Sequence, residues 1–374
     1  MHTSKLRIIF ILRDLRCSGG QRTTVDLLRY LDRNRFEPTL FLLERKGVYF
    51  PKVPQDVKVV FAHKSLKYNK YLIPYYLTKI AAQARNNDVV IGAMELRPTY
   101  LAYLAAALTN RPAIGWVHVP LDKGLQWASK LHLVKLKLFY PRLTRVVCVS
   151  QTVKQSVSKM ASVRPERLRI IYCPQDLNSI IEKSKEPLPG WAVDVFRKPT
   201  LIAVGRMSYE KGFDLLISAH AKVLKKGIRH SLVIVGDGPH RSKLQDLVQR
   251  LKVTDNVFMP GYVKNPYPLI KKASALVLSS RFEGLPSVII EALALGKPVV
   301  ATACGGSVEI LCDGREGILV PPEDVDALAD GMSRILSDRY LRQELSTSNI
   351  ERLRCFSTEN IVPQWEQLLI EASG

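Results

Sequence analysis

Short apolar runs recur along the chain, and amphipathic or loop segments separate them. In the first half the runs lie at residues 6–12, 38–43, 89–92, 113–117 and 145–149. The pattern restarts after residue 199, with runs at 200–204, 231–235, 256–259, 275–278, 298–301 and 317–320. Strand-like runs that alternate with helical segments predict parallel α/β structure. Two such cycles predict two parallel sheets.

A charged, proline-bearing stretch separates the two cycles. Residues 176–199 contain EKSKEPLPG and RKP without a regular apolar period, which is typical of an interdomain linker. We therefore predict a first domain over 1–175, a second over 200–355 and a C-terminal helix over 356–374 that can cross back to the first. Open parallel sheets bind ligands outside the carboxyl ends of their strands. Two facing α/β domains thus imply a cleft lined by loops that follow the strands.

Length and composition are those of a folded globular protein. The 374 residues suffice for two hydrophobic cores, and 47% hydrophobic with 24% charged residues is ordinary for an enzyme. Six cysteines lie scattered without a C-x-x-C pair, which indicates buried thiols in a reducing compartment. The N-terminal apolar run is too short for a secretion signal, and charges interrupt each longer apolar stretch. We expect a protein that is neither exported nor membrane-spanning.

The charge of the chain is uneven. Lysine and arginine total 55 against 34 acidic residues, a net charge of +21, and residues 1–186 hold +19 of it. This skew indicates an anionic partner for the first half: a membrane surface, a nucleic acid or a phosphorylated acceptor. A solubilising excess of charge gives the same numbers, and composition does not choose among these explanations.

The loop after the predicted strand 200–204 carries two cations. It reads GRMSYEKG (205–212) and leads into an amphipathic helix. Backbone N–H groups and the positive end of the helix dipole favour an anion there, and Arg206 and Lys211 add charges suited to a diphosphate. A solvated loop is the alternative.

Two glutamates follow the predicted strand 275–278 in an E-x7-E arrangement. Glu283 lies in the loop, and Glu291 lies in the helix that begins after the turn formed by Gly284, Leu285 and Pro286. Carboxylates accept hydrogen bonds from hydroxyl groups, and the free amides of a helix start can meet phosphate or sugar oxygens. A surface helix position for Glu291 is less consistent with its apolar neighbours, which would bury it unpaired.

The order of these motifs resembles a known enzyme family. G-R-x4-K-G, G-D-G-P (236–239), G-Y-V (261–263), N-P-Y-P, E-G-L-P and E-x7-E are similar to those of the retaining GT-B glycosyltransferases of family four, especially members that extend lipid-linked saccharides. The resemblance implies two facing Rossmann-like domains with parallel sheets and a cleft between them.

The resemblance also implies roles for individual residues. Arg206 and Lys211 would bind the donor diphosphate, and Glu291 the ribose hydroxyls. Glu283 and the 284–286 turn would hold the transferred sugar. The base would lie against Tyr262 and Val263, with Gly205 and Gly236 in the same donor site.

Two features of the first domain match the family in part. Gly19 and Gly20 follow the first strand at the start of a helix, where their backbone can approach a phosphate or sugar. The family more often has an acidic residue where this chain has Arg22, so only the glycine pair is carried over. His118 follows the strand 113–117, where the family has a histidine near the transferred sugar; a packed or solvated loop histidine is the alternative.

Several motifs of other enzyme classes are absent from the sequence. It contains no G-x4-G-K-[ST] loop, no G-x-G-x-x-G after the first strand and no histidine pair at metal spacing. The one D-x-D, at 324–326, opens a helical pattern, so N-capping explains it better than metal binding. We predict transfer without a divalent metal or other cofactor, from a UDP-linked nucleotide sugar, as a UDP-hexose or UDP-N-acetylhexosamine.

Two basic, amphiphilic segments of the first half provide information about the acceptor and about contact with a membrane. Segments 64–85 and 123–142 combine lysines with tyrosine, tryptophan and leucine, the composition of interfacial helices. Together with the resemblance they predict a lipid-linked saccharide acceptor and peripheral contact with an anionic membrane at its cytoplasmic face. Helices that pack on the core with a solvated basic back are the alternative. Rival functions are a transferase with a soluble acceptor, a nucleic-acid binder, which lacks a matching motif, and a non-catalytic sugar-nucleotide binder.

Overall fold

The computed structural model describes residues 5–16, 19–63, 69–124, 130–346 and 350–374. The chain forms two compact units. The first unit comprises Met1–Pro174 and Thr358–Gly374, and the second comprises Gln175–Ser357.

Within its described residues, the first unit contains a parallel sheet of seven strands in the order β3-β2-β1-β4-β5-β6-β7. The strands are β1 (Leu6–Leu12), β2 (Phe36–Leu42), β3 (Lys58–Phe61), β4 (Val89–Gly92), β5 (Ala113–Val117), β6 (Arg145–Cys148) and β7 (Leu168–Ile170). The sequence pattern missed β3 and β7. Both lie at edges of the sheet and contain half-buried residues, so neither has the continuous apolar run that a strand buried on both faces requires.

The helices of the first unit connect these parallel strands. They are α1 (Gly19–Tyr30), α2 (Ile73–Ala84), α3 (Arg97–Thr109), α4 (Leu121–Gly124), α5 (Lys130–Phe139) and α6 (Gln151–Ala161). The α1 helix follows directly on the loop after β1 and buries Val25, Leu27 and Leu28. The carboxyl ends of the strands therefore lead into loops and helix starts at one edge of the sheet.

The second unit has a parallel sheet of six strands over the described residues, in the order β10-β9-β8-β11-β12-β13. They are β8 (Thr200–Val204), β9 (Ser231–Val235), β10 (Val257–Gly261), β11 (Ala275–Leu278), β12 (Val299–Thr302) and β13 (Ile318–Val320). Each matches a predicted run to within two residues. The core of this unit is built from strand residues such as Leu201 and Leu232 and from helix residues such as Leu216 and Met332.

The helices of the second unit include two within the segment that we predict to be a linker. They are α7 (Leu177–Lys183), α8 (Gly190–Val195), α9 (Phe213–Lys225), α10 (Arg241–Arg250), α11 (Tyr267–Lys272), α12 (Ser287–Ala294), α13 (Ser307–Ile310), α14 (Val325–Ser337), α15 (Arg339–Ser346) and α16 (Ile350–Leu353). Residues 176–199 are thus part of the second unit, because α7 buries Ile180 and α8 buries Ala192 and Val195. As predicted, Asp324 caps α14 by accepting a hydrogen bond from the amide of Ala327 at 2.9 Å.

The C-terminal helix, α17 (Thr358–Ser373), belongs to the first unit. The indole of Trp365 is buried, with its centroid 4.4 Å from that of Trp116 in β5. Glu366 accepts a hydrogen bond from the amide of Asp32 at 2.9 Å and pairs with Arg35 at 3.1 Å. These contacts fix the end of the chain to the core of the first unit.

The positions of the cysteines and the lengths of the helices relate to the expected buried thiols and to the expected lack of a membrane-spanning segment. Cys148, Cys173, Cys304 and Cys312 are buried free thiols, Cys355 is exposed, and Cys17 lies outside the described residues. Across the described ranges, no helix combines the length and apolar character needed to span a bilayer.

Candidate active site

Two charged side chains meet beyond the carboxyl ends of β8 and β11. The ammonium of Lys211, in the loop after β8, donates to Oε1 of Glu283, in the loop after β11, at 2.6 Å. Burial alone lowers the pKa of Lys211, but the adjacent Glu283 carboxylate raises it above its ordinary value. Lys211 is therefore charged at neutral pH, and its charge is fixed next to a carboxylate.

Two serine hydroxyls that follow β11 donate hydrogen bonds to Glu283 and to the backbone of Lys211. Ser280 donates to the same Oε1 of Glu283 at 2.6 Å, and Ser279 donates to the carbonyl of Lys211 at 2.9 Å. Both serines follow directly on β11, whose last residue is Leu278. The loop therefore orients Glu283 by a neutral donor and a cation together.

Backbone hydrogen bonds also join the ends of β8, β9 and β10 and the loops that follow them. The amide of Gly205 donates to the carbonyl of Val235 at 2.9 Å, and the amide of Gly236 donates to that of Gly261 at 2.9 Å. Gly236 has φ of +136°, and a Cβ there would lie 1.9 Å from the carbonyl oxygen of Gly205. A glycine is required at this position by conformation and by space.

The predicted diphosphate and base residues share this edge. Arg206 follows Gly205 and is exposed, and Tyr262 and Val263 follow β10, with Tyr262 51% exposed. Because β10, β9, β8 and β11 are neighbours in the sheet, Arg206, Lys211, Glu283 and Tyr262 all lie beyond its carboxyl ends. The structure thus brings the predicted second-unit residues to one edge.

The turn before α12 is tied to the loop after β12. The amide of Gly306 donates to the carbonyl of Gly284 at 2.8 Å, and Leu285 and Pro286 then lead into α12. Glu291 lies in α12 and is 3% exposed. The predicted burial of this glutamate is observed.

Arg281 is a charged residue of this loop that sequence reasoning missed. Its guanidinium donates to both carboxylate oxygens of Asp214 at 2.9 and 2.7 Å, to Glu323 at 3.0 Å and to the carbonyl of Tyr209 at 2.8 Å. Its centre also lies 4.2 Å from the centroid of the Tyr209 ring. The hydrogen bonds that Arg281 donates to Asp214 raise the pKa of Arg281 above its ordinary value. Arg281 therefore connects the loops after β8, β11 and β13.

In the first unit, Gly20 and His118 lie side by side. A Cβ at Gly20 would come within 3.1 Å of the His118 ring and 2.4 Å of the sulfur of Met94. His118 is 8% exposed, and its Nε2 lies 3.2 Å from the carbonyl of Ala93. Burial lowers the pKa of His118 to about 4, so the ring is neutral at pH 7. Nε2 then carries the proton donated to Ala93, and Nδ1 is a hydrogen-bond acceptor.

Glu95 is a second residue that sequence reasoning missed. It lies in the loop after β4, and its Oε2 accepts a hydrogen bond from the amide of His118 at 3.1 Å. Burial raises the pKa of Glu95. Its position, three residues after β4 in the sequence AMELRP, was the signal available. Gly19, Gly20, Glu95 and His118 thus follow β1, β4 and β5, which are neighbours in the sheet.

Two family models match the chain. The model described as "Glycosyl transferases group 1" matches residues 195–352, and the one described as "Glycosyltransferase Family 4" matches residues 17–179. An uncharacterised glycosyltransferase of Methanocaldococcus jannaschii is 30% identical over 276 residues, which cover 66% of this chain and 68% of that protein. The chain belongs to the group 1, family 4 glycosyltransferases. The predicted enzyme class, a glycosyltransferase, is confirmed.

Two proteins that align with nearly the full length of this glycosyltransferase support the family assignment and the fold. The N-acetylgalactosamine-N,N'-diacetylbacillosaminyl-diphospho-undecaprenol 4-alpha-N-acetylgalactosaminyltransferase of Campylobacter jejuni is 27% identical over 366 residues, covering 94% of this chain and 96% of that protein. The crystal structure of Anabaena HepE in complex with UDP and glucose has a TM-score of 0.83 at 21% identity, covering 97% of this chain and 99% of that chain. The predicted GT-B class, with two parallel-sheet Rossmann-like domains, is confirmed.

The two basic segments of this glycosyltransferase are described in part. Residues 64–68 of segment 64–85 and residues 125–129 of segment 123–142, including Trp127, lie outside the described residues. The remainder of the second segment comprises the end of α4, all of α5 and the short turn that follows. Helix α5 buries Leu136 but leaves three apolar side chains 45–60% exposed, at Leu131, Val134 and Leu138.

Proposed function

We propose that the protein is a retaining glycosyltransferase that moves a hexose or N-acetylhexosamine from a UDP-linked donor to a lipid-linked or polysaccharide acceptor in cell-surface glycan synthesis. The observation that carries the proposal is the Lys211–Glu283 pair at the carboxyl edge of the second sheet. A fixed cation beside a fixed carboxylate suits a donor that joins a diphosphate to a sugar, because one end is anionic and the other carries hydroxyl groups.

The second unit takes the donor in this proposal. Arg206 and Lys211 bind the diphosphate, and Glu283 with Gly284, Leu285 and Pro286 holds the transferred sugar. Glu291 accepts hydrogen bonds from the ribose hydroxyls, and Tyr262 and Val263 lie against the base. Gly205 and Gly236 keep the loops close enough for backbone groups to approach the diphosphate. The electrostatic work is done by side chains and amides, and we propose that no divalent metal takes part.

The first unit supplies Gly19, Gly20 and His118. Since Nδ1 of His118 is an acceptor, it receives a hydrogen bond from a hydroxyl of the transferred sugar. Gly20 keeps this side of the ring accessible, because a side chain there would meet the imidazole. The neutral ring adds no positive charge next to the sugar.

In the proposed reaction, the bond between the anomeric carbon and the diphosphate oxygen breaks as UDP departs. An acceptor hydroxyl forms the new bond on the same face of the sugar, and its proton passes to the departing diphosphate. The sugar is oxocarbenium-like in the transition state, and negative charge grows on the diphosphate. Arg206 and Lys211 stabilise that growing charge from fixed positions.

The proposed acceptor is lipid-linked, and the proposed location is peripheral, at the cytoplasmic face of a membrane. The first half of the chain carries +19 of the net charge, and α5 exposes Leu131, Val134 and Leu138 on one helical face. Exposed apolar side chains beside lysines are the composition of a surface that binds an anionic bilayer. The Campylobacter jejuni relative, whose name specifies a diphospho-undecaprenol substrate, supports the same acceptor class.

The test is a transfer assay with a panel of UDP-, GDP- and ADP-sugars. Each donor is offered to a polyprenyl-diphosphate-linked saccharide and to a soluble sugar phosphate, and the anomeric configuration of the product is read by NMR. Transfer from a UDP-sugar to the lipid-linked acceptor with retention is expected. An inverted product, or transfer to the soluble acceptor alone, would refute the retaining or lipid-linked part of the proposal respectively.

Membrane contact has a separate test. In flotation with phosphatidylglycerol vesicles at low salt, the wild type is expected to rise with the vesicles. Val134→Asp with Leu138→Asp places charge on the exposed face of α5 and should abolish flotation, whereas Lys225→Ala in the second unit should not. If the wild type did not bind the vesicles, this part of the proposal would be refuted.

A further inference from the structure

A cavity of about 580 Å³ opens in the first unit, beside the edge strand β3. Its lining includes Arg45 and Lys46, which follow β2, and residues before and within β3 that are apolar except for Gln55. Ligand pockets of enzymes commonly have volumes of roughly 300–1,000 Å³. The cavity therefore has room for a small organic ligand, and the proposed donor-site residues do not line it.

The wall of the cavity is one face of an edge strand. Val57, Val59 and Phe61 alternate along the strand direction, so their side chains point to the same side. The ring of Phe50 lies across from Phe61, with centroids 6.0 Å apart. Phe50, Val59 and Phe61 are only half-buried. This surface is suited to a hydrocarbon chain.

The rim of the cavity is cationic, and nearby acids have other partners. Arg45 and Lys46 are both exposed, and over the described ranges neither forms an ion pair. Glu44 pairs with Arg13 at 3.0 Å, and Asp56 pairs with Arg33 at 2.5 Å. The positive charge at the rim is therefore not neutralised from within the first unit.

The cations and the apolar wall are in contact. The guanidinium of Arg45 lies 5.4 Å from the centroid of the Phe61 ring. A ligand bound along the wall therefore lies close to the cation. The cavity thus combines, over a few ångströms, a cationic rim with a largely apolar wall, and it lies along the edge strand β3, beside the loop that follows β2.

We propose that this cavity binds the phosphate ester and the adjoining hydrocarbon of the acceptor's lipid carrier. The inference rests on the proposed function, since it identifies how a lipid-linked acceptor would be held. An anionic head at Arg45 and Lys46 with a hydrocarbon along Val59 and Phe61 matches both chemical parts of such a ligand. A free phosphate would use the rim alone, and a bilayer phospholipid would use the same chemistry from the membrane.

The experiment uses geranyl diphosphate as a soluble probe, in calorimetric titration of the full chain with excess UDP present to occupy the donor site. Inorganic diphosphate and geraniol test the two parts of the ligand separately. The test variant is Arg45→Ala with Lys46→Ala. Its matched control is Lys58→Ala with Lys159→Ala, which removes two exposed cations of the same unit, one of them next to Val59 in β3.

We expect geranyl diphosphate to bind more tightly than either partial ligand and the test variant to lose about tenfold or more in affinity, the effect of losing charge-assisted hydrogen bonds. The control pair should lose less than threefold, and Arg45→Lys with Lys46→Arg should retain binding. Equal losses in test and control variants, or wild-type affinity in the test variant, would overturn the proposal. So would inorganic diphosphate binding as tightly as geranyl diphosphate.

One further measurement distinguishes the lipid carrier from a bilayer phospholipid as the ligand of the cavity. A second distinguishes failure of this inference from failure of the proposed function. Binding to phosphatidylglycerol vesicles should be equal in test and control variants; a selective loss in the test variant would assign the cavity to bilayer phospholipid and overturn the carrier assignment. In the transfer assay, the test variant should raise KM for the lipid-linked acceptor and leave UDP-sugar hydrolysis unchanged. Normal KM with intact transfer would refute this inference alone, whereas probe binding without transfer would refute the proposed function alone.

Discussion

The ammonium of Lys211 lies 2.6 Å from Oε1 of Glu283, and this contact joins the loops that follow β8 and β11. The two side chains are 22% and 11% exposed, so the pair is partly shielded from water. Each group therefore holds the other in a defined place before any ligand arrives. A fixed cation needs little reorganisation when charge develops beside it, which is the condition for strong electrostatic stabilisation.

Lys211→Ala should lower turnover by roughly a hundredfold or more, the scale for losing one preorganised donor to a developing charge. Donor affinity should fall less, because ground-state charge on the diphosphate is smaller than in the transition state. The measurement is kcat and KM for the best UDP-sugar. Lys225→Ala, an exposed lysine of α9, is the matched control and should be unaffected. Full activity in Lys211→Ala would remove Lys211 from the proposed machinery.

Glu283→Gln keeps the shape of the side chain and removes its charge. Transfer should fall strongly because the charged acceptor for the sugar is lost, while affinity for UDP should stay within about threefold of wild type, because UDP lacks the sugar. Titration of each variant with UDP and with the UDP-sugar measures the difference. If Glu283→Gln and Lys211→Ala lost UDP affinity equally, the division between diphosphate and sugar roles would be wrong.

Sequence pattern recovered all six strands of the second sheet, including its edge strands β10 and β13, but missed β3 and β7 at the edges of the first sheet. β3 contains Lys58 and β7 contains Arg169, so a charged residue interrupts the short apolar run at each strand. The sequence placed Lys211 and Glu283 in loops after strands but did not predict their contact. That contact depends on β8 and β11 being neighbours although two strands separate them along the chain.

The partners of Arg281 explain why this residue was missed. Asp214, in the first turn of α9, is 67 residues away, and Glu323, in the loop after β13, is 42 residues away. No local spacing encodes such a cluster, because sheet order brings the loops together. The basic residue two positions before Glu283 was visible in the sequence, but nothing distinguished it from a solvated arginine.

Arg281→Lys should weaken the connection among these loops, because lysine cannot form the two-pronged pairing with Asp214 while also reaching Tyr209 and Glu323. We expect lower thermal stability, by roughly 1–3 kcal/mol, as for loss of hydrogen bonds to charged groups. KM for the donor should rise as well, because the loop that carries Lys211 loses an anchor. Calorimetry and steady-state kinetics measure these effects. Lys243→Ala, in α10 of the same unit, is the control; equal effects in both variants would contradict the prediction.

Gly305→Ala should be destabilising and should also reduce activity. Gly305 has φ of +55°, and a Cβ there would lie 2.0 Å from the carbonyl oxygen of Glu283. The left-handed conformation costs an alanine about 1–2 kcal/mol, and the clash with backbone adds about 1–3 kcal/mol. Gly314 is the matched control, because its φ is +97° but no atom lies within 4 Å of its Cβ position. Urea unfolding of both variants should give the larger loss for Gly305→Ala, and equal losses would argue against the clash.

Two buried histidines predict how the stability of the second unit depends on pH. Nδ1 of His220 lies 2.8 Å from Nε2 of His230, and Nδ1 of His230 lies 2.9 Å from the carbonyl of Ile228. Both contacts form with neutral rings, because Nδ1–H of His230 then donates to Ile228 and Nδ1–H of His220 donates to Nε2 of His230. Burial, and then the neighbouring His230, lower the pKa of His220 to about 3, and burial lowers the pKa of His230.

Because both pKa values are lower in the folded than in the unfolded chain, the unfolded chain binds more protons below its histidine pKa of about 6.5. Stability is therefore complete above pH 6.5 and is lost as the pH falls, by up to about 1.4 kcal/mol per pH unit for each histidine. Urea unfolding at pH 7 and pH 5 measures the loss. The double variant His220→Phe with His230→Leu should show a smaller loss over this interval, even if it is less stable at pH 7. An unchanged difference between the two pH values would show that other groups, such as His118, carry the acid sensitivity.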